Sequence, residues 1–168
     1  MGVVVQKAVP ILLLVGYLMA VGCSRRYGRY HQTSPSMEPS IKQGASVVLD
    51  TEAYATNGPK RWDVIAFRYP KDTNLVFISR VVGLPGEVIR VATSGVVVNG
   101  NIVAPPHWME RIRHASHEAA RYGVNDGFRV PNNGVFVLGD NPMANDSRFW
   151  GPVPQGSVMG EVLLPNSD

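Results

Sequence analysis

Apolar residues in this chain fall into two regimes. Behind Lys7 they form a run from Ala8 to Gly22, broken only by Pro10 and small residues; further on they gather into short blocks rich in valine and isoleucine that alternate with polar positions. A helix over the 15 residues of the first run reaches about 22 Å, short of the roughly 30 Å hydrocarbon core of a bilayer unless Val3, Val4 and Val5 extend it. The later blocks predict strands at Ser46–Asp50, Trp62–Arg68, Leu75–Val82, Val88–Val91, Phe128–Val130 and Val135–Gly139. Pro85 and Gly86 suit the centre of a type II turn, and Asn99-Gly100 between two β-branched runs suits a two-residue type I′ hairpin. Between Pro105 and Gly127 the period changes: Trp108, Ile112, Ala115 and Ala119 recur at helical spacing, which predicts a surface helix at about 107–121. The fold expected is mainly β, an antiparallel sheet domain over residues 24–168 with a short inserted helix, preceded by an apolar anchor helix or leader over residues 1–23.

Composition narrows this only a little. A chain of 168 residues, 45% hydrophobic and 17% charged, is long enough for one domain with its own core. The net charge of +3 comes from arginines scattered along the chain, so no clustered nucleic-acid footprint is present. A single cysteine, Cys23, excludes an internal disulfide. His107, His114 and His117 lack acidic or cysteine partners at ligand spacing and read as a solvated helix face; no metal and no cofactor is expected.

The chemistry concentrates in Ser34-Pro35-Ser36-Met37-Glu38-Pro39-Ser40, where two hydroxyls stand one residue apart between prolines. Proline fixes φ and pushes the residue before it toward extended backbone, so Ser34 and Glu38 are not helical and the segment is a stiff turn. Such a turn suits a nucleophilic serine, whose side chain must be held by its surroundings.

Ser36-Met37-Glu38-Pro39-Ser40, then Arg80-Val81-Val82-Gly83-Leu84-Pro85-Gly86-Glu87, then Gly139-Asp140-Asn141 with Asp146-Ser147-Arg148, resemble in order and spacing the successive boxes of type I signal peptidases, over about residues 33–163. The resemblance implies a membrane-tethered β-sheet serine endopeptidase with a Ser/Lys pair that removes leader peptides of exported proteins after small residues. Carried over position by position, it implies Ser36 as nucleophile, Ser34 with the Ser36 backbone N–H as the oxyanion hole, and Met37 and Ile78 beside the pockets for small side chains. Gly139, Asp140, Asn141, Asp146, Ser147 and Arg148 become structural support for the site.

One position departs from the family pattern. Where the resemblance places the lysine general base stands Ser79, and where it places the serine that orients that lysine stands Ala144. A hydroxyl cannot take the nucleophile's proton as a neutral amine does. By alternation Ser79 shares a strand face with Leu75, Phe77 and Val81, which makes it a small core filler. Of the other basic residues, Lys71 precedes Ser79 by eight residues, about 26 Å if extended, and reaches Ser36 only by folding back. His31, five residues before Ser36, approaches it through a sharp turn. Two functions follow: a signal-peptidase-type endopeptidase with an unconventional base, or a non-catalytic homologue that binds leader-like peptides or a partner by adding them to its sheet.

Residues 1–23 admit three readings: an uncleaved membrane anchor in contact with lipid, a cleaved leader with Ala20-Val21-Gly22 as its processing site, or lipid attachment at Cys23. Arg25, Arg26 and Arg29 after the apolar run favour a cytoplasmic domain by the positive-inside tendency. The resemblance implies the outer, extracytoplasmic face, and that placement is the one expected here.

Overall fold

The structure, a computed structural model, describes residues 26–92, 94–105, 122–123 and 126–164. The expected anchor segment and the expected helix at about 107–121, with its three histidines, lie outside the described residues. Among the described residues no helix is long and apolar enough to cross a membrane.

The described residues form eleven strands: β1 (Tyr27–His31), β2 (Ser46–Asp50), β3 (Val64–Tyr69), β4 (Asp72–Gly83), β5 (Val88–Ala92), β6 (Gly95–Val98), β7 (Asn101–Ile102), β8 (Phe128–Arg129), β9 (Gly134–Leu138), β10 (Val153–Pro154) and β11 (Val158–Leu163). A seven-stranded sheet runs β1-β2-β11-β3-β4-β9-β10, and a four-stranded sheet runs β7-β6-β5-β8. Every pairing is antiparallel. The mainly β, antiparallel expectation is met. One short helix, α1 (Ser147–Trp150), follows Asp146, whose carboxylate accepts from the Arg148 backbone N–H and so caps it.

The central strands are buried on both faces, and their side chains sort accordingly. On β3, Val64 and Ala66 join one core cluster with Met37, Ile41, Leu49, Ile78 and Val162. Ile65 and Phe67, one step out of phase, join another with Val81, Val135, Val137 and Trp150. A third cluster brings Val82 of β4 and Phe136 and Leu138 of β9, in the larger sheet, against Ile89 and Val91 of β5, in the smaller one. The expected Asn-Gly hairpin forms between β6 and β7, with Asn99 at φ 49° and Gly100 at φ 85°, the two positive angles a type I′ turn needs.

Three features depart from the sequence reading. Strand β4 begins at Asp72, not Leu75, because its polar start pairs through the backbone with β3 and needs no apolar side chain to do so. Leu75 and Val76, expected within a buried strand, are exposed and Phe77 is half-buried, while Ser79 and Val81 lie inside. The cause is topological: β4 pairs with β9 only from Arg80 onward, so over residues 72–79 its outer edge has no strand beside it among the described residues. Finally, β1 and β11 were not expected. Neither shows a clean apolar alternation, and β11 is placed by pairing with β2 on one edge and β3 on the other.

Strand β11 also generates a test. Glu161 sits opposite Asp50 and Ile65, and burial first, then the charges of Asp63 and Asp50, push its carboxyl pKa up. A raised carboxyl pKa means that the fold disfavours the ionised form, so the penalty is present above the folded-state pKa and disappears as pH falls through it. Glu161→Gln should therefore raise the melting temperature near pH 7 and lose that advantage below about pH 4, where the carboxyl is neutral in both states. Thermal melts of both proteins at the two pH values check this.

Candidate active site

The serine turn is built from its prolines inward. Ser34 is extended at φ −123°, ψ 160°, Pro35–Met37 close a single 3-10 turn, and Glu38 returns to extended backbone. Met37 is fully buried against Ile78 and its neighbours, so the residue after Ser36 anchors the turn in the core. Ser36 itself stays partly open to solvent.

A second segment, the loop after β9, clasps the turn from the other side. The Asn141 backbone N–H donates to the Ser36 carbonyl at 3.0 Å, and the Asn141 side-chain amide donates to the Pro35 carbonyl at 3.1 Å. Gly139 passes so close that a Cβ there would lie 2.5 Å from the Ser36 carbonyl oxygen and 2.2 Å from the Ala144 Cβ. Only glycine fits.

Two buried ion pairs hold that loop. Arg80, in the second half of β4, donates from Nε (2.8 Å) and Nη2 (2.6 Å) to the Asp140 carboxylate; Nη1 donates to the Trp62 carbonyl, and Nη2 also reaches the Ser40 hydroxyl. Arg148 donates from Nε and Nη2, each at 2.8 Å, to Asp146, whose carboxylate also accepts from the Gly139 N–H at 3.0 Å. The Ser147 hydroxyl accepts from the Val137 N–H at 3.0 Å. All four charged side chains are essentially removed from water, where bidentate pairing is what makes their burial tolerable.

These elements enclose a groove of about 470 Å³. Residues 75–79 of β4 form one wall, residues 30–36 the other, and Asn141 with residues 143–145 close the end. Ser34, Ser36, Ile78, Ser79 and Ala144 all line it. The exposed Leu75, Val76 and Met143 make its rim apolar. Among the described residues, this edge of β4 has no strand paired to it before Arg80.

Among the described residues, the hydrogen-bond partners of the Ser36 hydroxyl include no base. Its Oγ lies 3.0 Å from Ser34 Oγ and 3.0 Å from the Gln32 side-chain nitrogen, and an amide nitrogen has no lone pair to accept a proton. His31, a candidate substitute base, also lines the groove; its Nδ1 is 3.1 Å from the Ser46 hydroxyl, and its partner there is not Ser36. Lys42, Lys60 and Lys71 are exposed, Lys71 at the far end of the β3–β4 hairpin. Among the described residues no group of three or more metal-binding side chains forms.

Sequence reasoning missed Gln32 and the partner of Arg80. Gln32 is a polar residue in a loop, with no pattern to mark it. Arg80 did carry a signal, since an arginine between Ile78 and Val82 in an apolar strand has to find a carboxylate.

The clasp predicts the effect of one methyl group. Gly139→Ala should displace the Ser36 carbonyl or the Ala144 side chain, lowering the melting temperature by several degrees, the consequence of about 1–3 kcal/mol of overpacking. A thermal melt checks it, and an unchanged melting temperature would contradict the close approach.

The same chain can be set beside known proteins. Residues 4–166 match the family described as Signal peptidase, peptidase S26. Signal peptidase I of Pseudomonas aeruginosa is 30% identical over 77% of this chain and 61% of its own length. A probable signal peptidase I-1 of Synechocystis is 32% identical over 78% of this chain and 66% of its own. Signal peptidase I V of Bacillus subtilis is 30% identical over 79% of this chain and 82% of its own. The chain thus spans about three fifths of the length of the Pseudomonas relative. With the match running through the serine turn, the Arg80 strand and the closing loop alike, the chain belongs to the signal peptidase family, peptidase S26.

Proposed function

We propose that this protein handles leader peptides of exported proteins at a membrane, as a signal-peptidase-type serine endopeptidase that cuts after small residues. The observation that carries the reading is the groove itself: a partly exposed Ser36 hydroxyl facing β4, whose residues Leu75 to Ile78 give that wall an apolar surface. An extended peptide adds to β4 through backbone hydrogen bonds, and the pockets beside Met37 and Ile78 admit only small side chains. Ser36 Oγ attacks the scissile carbonyl. The Ser36 N–H and the Ser34 hydroxyl, 3.0 Å from Ser36 Oγ, stabilise the resulting oxyanion. Gly139, Asp140, Asn141, Asp146, Ser147 and Arg148 hold the nucleophile in place, Asn141 also closing the end of the groove. Residues 1–23 serve as the membrane segment of the β domain, 24–168, which faces the extracytoplasmic side.

Position 79 sets the rate. With Ser79 where the family resemblance places a lysine, the proton of Ser36 leaves without an amine to receive it, and general-base assistance worth about 10²–10⁴-fold is lost. A second reading is favoured by this observation and by the Gln32 amide against Ser36: a non-catalytic homologue that holds leader-like peptides or a partner in the groove.

The full chain in detergent should cleave a peptide with an Ala-x-Ala site slowly, and Ser36→Ala should abolish that cleavage. Binding without any Ser36-dependent cleavage would leave the non-catalytic reading; neither binding nor cleavage would defeat both. Ser79→Lys, alone or with Ala144→Ser, should raise the single-turnover cleavage rate by at least about tenfold if the missing amine is the limitation. No gain with an unchanged melting temperature would place the limitation elsewhere.

A further inference from the structure

We infer that Gln32 is a positioning residue for Ser36, holding its oxygen as a hydrogen-bond acceptor and stabilising the negative charge that oxygen carries as it attacks. The inference rests on the reading of Ser36 as a nucleophile.

Gln32 follows β1 directly and is 96% removed from solvent, at 4% exposure, although it is a polar residue beside an open groove. Its backbone is pinned in both directions: its N–H donates to the Ala45 carbonyl at 2.9 Å, and its carbonyl accepts from Gly44 at 2.7 Å. The side-chain nitrogen lies 2.9 Å from the Ser34 carbonyl oxygen and 3.0 Å from Ser36 Oγ, with Ser34 Oγ at 3.3 Å. A backbone carbonyl can only accept, so the atom facing it is the NH₂ and not the amide oxygen. One amide hydrogen is committed to Ser34, and the other points at the hydroxyls. Ser36 Oγ therefore receives a hydrogen bond from Gln32 and keeps one rotamer, with its own hydrogen directed elsewhere.

Donation of this kind strengthens as the acceptor gains charge. When the hydroxyl proton departs, the amide already faces the oxygen and requires no rearrangement. It takes no proton itself, so it does not replace an amine base; it lowers the free energy of the deprotonated oxygen. Hydrogen bonds to charged groups correspond to about ten- to a hundredfold in rate.

The test uses an activated ester, which needs no leader-peptide recognition. p-Nitrophenyl acetate is given to the full chain in detergent: the bond from Ser36 Oγ to the acetyl carbon forms, the ester bond to p-nitrophenolate breaks, nitrophenolate leaves, and the hydroxyl proton passes to solvent hydroxide. The rate is read from nitrophenolate release above a Ser36→Ala blank, and the acetyl group is located by mass spectrometry. Gln32→Met, which removes the donor, and Gln32→Asn, which withdraws it by one methylene, should each slow acylation about ten- to a hundredfold, measured at a temperature below the melting transition of every variant. Acylation of either variant at the original rate, or no Ser36 adduct on the unaltered protein, would overturn the inference. Should the variants fail to fold, the unaltered side chain still reports: its two amide proton resonances should exchange slowly with water, and one should move on Ser36→Ala. Resonances indifferent to that substitution would also overturn it. A Gln32-dependent acylation rate alongside failed peptide cleavage would defeat the leader-peptide reading and leave this one standing.

Discussion

The guanidinium of Arg80 and the carboxylate of Asp140 meet in the interior with almost no exposure to water, and the rest of the site depends on that meeting. Arg80 belongs to the strand that forms one wall of the groove, Asp140 to the loop that clasps the serine turn, and the same guanidinium reaches the Trp62 carbonyl and Ser40. A single side chain thereby ties a strand, a loop and the end of the serine turn. A buried pair of this sort contributes little net stability compared with apolar residues of the same size, but removing one partner strands a charge and costs about 3–5 kcal/mol. Its value lies in fixing geometry.

Asp146 and Arg148 repeat the arrangement one turn further along. Their pair caps α1, accepts from the Gly139 N–H and encloses the loop between residues 139 and 148. Gly139 can then lie against the Ser36 carbonyl, an approach that any side chain would forbid. Rigidity at Ser36 is thus supplied by groups that never face the groove, consistent with a site whose first requirement is position.

Position is maintained while proton acceptance is not evident. Ser79 is small, buried and uncharged, Ala144 packs against Gly139, and the nitrogen beside Ser36 is the amide of Gln32. An amine at that distance would accept the hydroxyl proton; an amide donates instead, and the hydroxyl's role reverses from donor to acceptor. The proposed pairing of a peptide along β4 involves no proton transfer and is the same under either arrangement.

Much of this was legible in the amino-acid order because it depends on local rules. Short β-branched apolar blocks marked β2, β3, β5 and β9, Asn99-Gly100 marked its hairpin, and the prolines around Ser36 marked a non-helical turn, each through steric and burial preferences that act over a few residues. The family was legible through three motifs in order. What the sequence could not display is pairing between distant segments. The insertion of β11 between β2 and β3, the open edge of β4 that exposes Leu75 and Val76, and the union of Arg80 with Asp140 across 60 residues all arise from contacts whose partners carry no mark of one another. Gln32 is the clearest instance: as a residue type it is an ordinary polar loop position, and only the folded chain, by closing Ala45 and Ser34 around it, aims its amide at Ser36.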